Sequence, residues 1–251
     1  MTIVSSSTGA FFERARKDMT ALRSQTEQVQ TQIGSGQRLD RSSDVPVAAS
    51  RLRMLARSDK LAKIDSTSAN RASADLTLAD AALSDIADAI GRAKVLAQQA
   101  ANGTMTDQQR ASIGKELEAL HGSILLLANS EDSTGHALFG GQSASQAYTL
   151  DAAGNAVYVG SGTSGELPLG EGQSVTRSLT GPEFLNFTTA SGSGDLMGTI
   201  KTLADALQGG SPDPAGAARN SLDALSAGLD AVTTGQTIIG ARLAWIDVAG
   251  Q

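Results

Sequence analysis

A mainly α-helical chain with one small β-rich insertion is what three features of the sequence predict. Apolar residues recur at alternating three- and four-residue steps in both chain halves. Aromatic residues make up only 3% of the 251, so any core is built from small and aliphatic side chains, which suits long, thin helix packing. Glycine-rich, β-prone pieces are confined to the middle, between about residues 130 and 194.

Phe12, Ala15, Met19, Leu22, Thr26, Val29 and Ile33 form the first seam. It is a narrow heptad stripe with polar residues on the other faces, and it implies a single partner helix more strongly than burial in a large core. Gly34 and Gly36 are expected to end this helix. Ser43 or Asp44 then offers an N-cap, and Pro46 sits in a first helical turn, where a missing N–H costs nothing.

From Val47 to Ala101 there is no proline and one glycine, Gly91. A continuous helix of that length would be a rod of about 80 Å. Its second half carries the seam Leu76, Ala79, Leu83, Ile86, Ile90, Ala93, Ala97 and Ala100. Asn102-Gly103 turns the chain, and "TDQQ" (106–109) has the spacing of a capping box. Ile113, Leu117, Leu120, Ile124 and Leu127 follow on one face, which predicts an antiparallel hairpin against the rod.

In the middle, "AYTL" (147–150), "AVYV" (156–159), "ELPL" (166–169) and "SVTRSL" (174–179) read as short strands joined by glycine-rich turns. Helical pattern returns at Leu196, Ile200, Leu203 and Leu207, and again beyond "GGSPDP" from Ala218 to Ile246. The expected division is an N-terminal assembly helix and joint (1–42), a helical rod (43–134 with 195–251) and a β-rich outer insertion (135–194).

Composition argues against several function classes. The formal charge is −6 and no basic cluster exceeds Arg14 to Lys17, so nucleic acid is not an expected partner. Cysteine is absent, which removes thiolate metal sites and suits a protein that crosses redox compartments. No apolar run is long enough to span a bilayer, and the N-terminus lacks the pattern of a cleaved signal.

His121 and His136 lack a ligand spacing and read as surface or loop residues, and Asp85, Asp88, Glu116 and Glu118 read as solvated helix faces. No cofactor, metal or catalytic residue is therefore expected, and the chain reads as an interaction protein rather than an enzyme. The first seam is the one left without an internal partner. Phe12, Met19, Leu22, Val29 and Ile33 are accordingly the candidate assembly interface.

The stretch "GSGQRLDRSSDVPVAASRLRML" (34–55) resembles the N-terminal signature of the flagellin superfamily, in which a terminal helix ends at a turn and a Ser-Asp-Asp-Pro-type motif starts the rod. Ser35, Gly36, Arg38, Ser43, Asp44, Pro46 and Ala48 match, whereas Val45 stands where a second Asp is common. Residues 95–120 resemble the rod-to-second-helix turn of the same superfamily, and "HALFGGQSA" (136–144) resembles its hook-filament junction branch.

The resemblance implies a flagellin-like fold and an adaptor role outside the cell, in the bacterial flagellum. It implies hook-associated protein 1 and flagellin as partners, a possible export chaperone, type III export without signal cleavage, and a homo-oligomer in the assembled flagellum that is a monomer in isolation. It makes Gly34, Gly36, Arg38, Ser43, Asp44 and Pro46 a joint between the assembly helix and the rod. Such proteins continue into a C-terminal helix that pairs with the N-terminal one. This sequence stops at Gln251, so the first stripe is expected to be mobile or packed on a neighbour. A short filament-forming flagellin, or a glycan-acting or adhesive protein using the insertion with Tyr148 and Tyr158, are the competing readings.

Overall fold

The computed structural model describes residues 3–36, 46–143, 145–170, 172–190 and 192–249. These fall into two compact units, 1–61 and 62–251. The chain is mainly helical, with three small antiparallel hairpins.

The first unit holds α1 (Ile3–Ser35) and the start of α2 (Pro46–Ala100). Helix α1 runs through Gly34, so that glycine does not end it. Gly36 follows the last helical residue, Ser35, with a φ of 65° that is cheap only without a Cβ. Helix α2 spans 55 residues without interruption and opens on Pro46, as the sequence anticipates.

The second unit is organised by the α2 seam. All eight predicted seam residues from Leu76 to Ala100 are buried. Each buried Leu or Ile there contributes about 1.5–3 kcal/mol relative to exposure, and the interspersed alanines let neighbouring helices approach. The Asn102–Thr104 turn leads into α3 (Asp107–Ala128), where Gln109 N–H donates to Thr106 Oγ1 at 3.3 Å and Thr106 N–H to Gln109 Oε1 at 2.9 Å, the reciprocal capping box. Arg110 Nε donates to the Ala100 carbonyl at 3.1 Å and Arg92 pairs with Glu116 at 2.6 Å, which fixes α3 antiparallel to α2.

Strands β1 (Tyr148–Leu150) and β2 (Ala156–Tyr158) pair through Tyr148↔Tyr158, whose rings lie 5.2 Å apart. Strands β3 (Glu166–Gly170) and β4 (Gln173–Thr176) pair with a register shift between Pro168 and Gly170. A short helix α4 (Gly181–Leu185) follows, then β5 (Asn186–Thr189) and β6 (Gly192–Asp195).

The short helix and the last hairpin are absent from the sequence expectation. "GSGD" has no strand-forming residue; β6 forms because Phe187 of β5 lies across Gly194, where a Cβ would stand 2.8 Å from the ring. Helix α5 (Leu196–Asp205) is capped by Asp195, whose Oδ2 accepts from Gly198 N–H at 2.7 Å. It runs into a π-helical turn (Ala206–Gly210) that closes on Gly209 at φ 108°.

Helix α6 (Pro214–Ala249) lies antiparallel to the second half of α2. Arg219 Nη1 reaches the Ala101 carbonyl at 3.2 Å, and Gly235 faces Leu83. Ala218, Leu225, Val232, Ile239 and Ile246 face the core at seven-residue steps.

Candidate functional site

The α1 seam is laid open to solvent. Phe12, Met19, Leu22, Val29 and Ile33 are all exposed, Met19 at 70% and Ile33 at 76%. Phe11 joins them, its ring edge-on to Phe12 at 5.9 Å. A stripe of this kind is out of place on a protein surface, because each large apolar side chain left in water forgoes about 1.5–3 kcal/mol of burial. Of the predicted joint, Gly34 and Gly36 lie at the end of α1 and Pro46 starts α2; Arg38, Ser43 and Asp44 fall outside the described residues.

From Ser50 to Leu61, α2 is exposed on every face. Leu52, Met54, Leu55 and Leu61 are open to solvent beside Arg51, Arg53, Arg57 and Lys60. The sequence places this segment in the rod helix but gives it no seam of its own, because apolar and basic residues alternate there.

A buried polar bridge in the second unit was not legible in the sequence either. Arg177, just after β4, donates through Nε to Asp75 Oδ2 of α2 at 3.4 Å and through Nη2 to Asp132 Oδ2 in the loop after α3. Asp132 Oδ1 also accepts from Thr134 N–H (2.7 Å), the Thr134 hydroxyl (2.6 Å) and His136 N–H (3.0 Å).

The two carboxylates therefore differ. Burial pushes Asp75 above the usual carboxylate range, with repulsion from Asp132 adding to it and Arg177 only partly offsetting it. Burial acts on Asp132 in the same sense, but the Thr134 hydroxyl, the His136 and Thr134 N–H groups and Arg177 outweigh it and hold it below that range. A pocket of about 280 Å³ opens beside the bridge. Both carboxylates are engaged by Arg177, so the arrangement fastens three chain segments and supplies no free acid or base.

The "LFGG" stretch is equally structural. Phe139 packs on Phe184 with ring centres 4.8 Å apart, its carbonyl accepts from Gly181 N–H at 3.0 Å, and Gly141 takes φ 69° where a Cβ would collide with the Ser161 carbonyl. His136 lies in a loop with an exposed ring. His121 corrects the surface expectation: it is 5% exposed on α3, and its Nε2 has no hydrogen-bond partner.

Among the described residues, no three His, Asp or Glu side chains converge to hold a metal ion, and no helix is long and apolar enough to cross a membrane. The site is thus a set of helical faces and their fastenings.

The profile of the bacterial flagellin N-terminal helical region matches residues 7–144, and the chain belongs to this family. Among curated relatives, it is 28% identical over 135 residues to flagellar hook-associated protein 3 of Salmonella typhimurium, covering 54% of this chain and 43% of that one. It is 26% identical over 184 residues to the Escherichia coli protein of the same name, covering 73% of this chain and 57% of the other. The chain thus spans about half the length of the curated relatives it matches. Among solved structures, a flagellar hook-associated protein from Vibrio parahaemolyticus shares the fold at TM-score 0.74 and 23% identity, over 84% of this chain and 92% of that one.

Proposed function

We propose that the chain is a structural adaptor subunit of the bacterial flagellum, joining the hook-side junction to the flagellin filament by helix packing. The observation that carries this reading is the exposed α1 stripe from Phe12 to Ile33 on a member of the flagellin family, a face built to be covered in an assembly. The name of its curated relatives supports the junction position over the filament shaft.

In this reading Phe12, Met19, Leu22, Val29 and Ile33 are assembly contacts, and Gly34 to Pro46 is the joint that lets α1 and the rod engage different neighbours. The β-rich segment 135–194 faces outward from the rod. Hook-associated protein 1 and flagellin are the flanking partners, an export chaperone accompanies the subunit, and the chain leaves the cell without signal cleavage and works there as one copy among several.

Deleting the gene tests this. Hooks should stay intact while unassembled flagellin appears in the medium, and Leu22→Ser with Val29→Ser should reproduce the defect without unfolding the second unit. Normal filaments in the deletion strain refute the adaptor role. Purified chain that polymerises alone into long tubes would mark a filament subunit instead.

A further inference from the structure

The two compact units carry opposite charge. Residues 1–61 hold ten Lys and Arg against six Asp and Glu, a formal +4, whereas residues 62–251 hold ten against twenty, a formal −10. The imbalance is organised on helix faces. On α2, Arg53, Arg57 and Lys60 fall within one narrow arc and are all exposed. On α6, Asp223 and Asp230 stand one above the other on the face away from the Ala218–Ile246 core stripe, and both are exposed. None of the five forms an ion pair among the described residues.

The spacings agree as well. Arg53 and Lys60 are seven residues apart, as are Asp223 and Asp230, so each pair spans about 10 Å along its helix. Two straight helices can therefore satisfy both charge pairs at once, with Arg57 lying between them. Met54 and Leu61 lie exposed beside the basic stripe, and Ile238 and Trp245 are exposed on α6, giving each side apolar surface to add to the charges.

We infer that the basic stripe of α2 docks on the acidic face of α6 of a second copy of this chain, a head-to-tail contact between unlike surfaces. The net charge of −6 repels copies that approach at random, so the uneven distribution selects this one orientation. Contact between unlike surfaces joins copies head to tail, and such a contact closes into a ring, without growing into a tube, where the rotation between copies allows it. The inference deepens the subunit reading above and rests on it only in supposing that copies meet.

Sedimentation velocity of the full chain at about 100 μM tests it, since ion pairs that drive docking weaken as salt shortens the screening length. Association is expected at 20 mM NaCl and its loss at 300 mM. R53E/R57E/K60E and D223K/D230K should each be monomeric at 20 mM, with unchanged circular dichroism because all five side chains are exposed. Mixing the two variants should restore association, because each reversed surface then meets its complement.

A wild-type chain that is monomeric at both salts, or a mixture that stays monomeric, overturns the proposal. So does loss of R53E/R57E/K60E binding to phosphatidylglycerol vesicles without any self-association of the wild type, which would make the stripe a lipid contact. None of these results bears on the deletion phenotype, which tests the adaptor reading separately.

Discussion

His121 shows how one buried side chain can set a pH response. Burial is the largest influence and lowers its pKa below 6.5; Lys201 acts in the same sense, while Asp195, Glu118 and Asp205 oppose it. The unfolded chain therefore binds more protons than the folded one below about pH 6.5. The contribution is complete above that pH and is lost as pH falls through the depressed folded value. Urea unfolding should show lower stability at pH 5 than at pH 7.5, and His121→Leu should reduce that difference. The same substitution removes an unpartnered buried nitrogen, so a gain on the order of 1 kcal/mol at pH 7.5 is expected. The Arg177 bridge gives a second residue-level contrast. Asp132→Ala strands two N–H groups, a hydroxyl and a guanidinium, and should cost about 3 kcal/mol in urea unfolding. Asp75→Asn keeps an acceptor for Arg177 and removes a charge that burial disfavours, so it should cost less than about 1 kcal/mol.

At the scale of elements, close helix approach decides which glycines matter. A Cβ on Gly114 of α3 would stand 2.9 Å from the Ala204 carbonyl of α5 and 2.8 Å from Gln208 Cγ, so the two helices touch backbone to backbone there. Gly114→Ala should destabilise by about 1–3 kcal/mol, overpacking outweighing the gain in helix propensity. Gly91 of α2 has nothing within 4 Å of the same added atom, and Gly91→Ala should stabilise by about 0.5–1 kcal/mol. Thermal melts of the two variants should therefore move in opposite directions. The α3–α5 contact lies outside what the hairpin expectation described. The α3 seam points to a partner face, but nothing local says that the partner includes a helix seventy residues further on.

For the whole molecule, burial divides the helices by task. Amides from Phe12 to Ile33 should exchange near the unprotected rate in dilute solution, since α1 exposes its apolar stripe and its own propensity is a weak source of stability. Those from Leu76 to Ala97 should be the slowest, because they lie along the buried seam on which α3 and α6 close. Protection of α1 equal to that of α2 in dilute monomer would show that the stripe already has a cover and would remove its claim to be an assembly face.

Periodicity along the chain determined the long helices, the α2 seam, the capping box at Thr106 and the narrow apolar stripe of α1, because these depend on residues three, four or seven apart. It also placed the first two hairpins, where strand-forming residues alternate with turns. Only the tertiary structure decided the β5–β6 hairpin, the Asp75–Arg177–Asp132 bridge and the burial of His121. Their causes lie far away in sequence: an aromatic ring across a glycine, an arginine about a hundred residues from one of its carboxylates, and a helix face whose covering element comes much later in the chain. Local spacing carries the information for elements that fold on their own neighbours. Distant packing carries it for groups whose environment is made by another part of the chain.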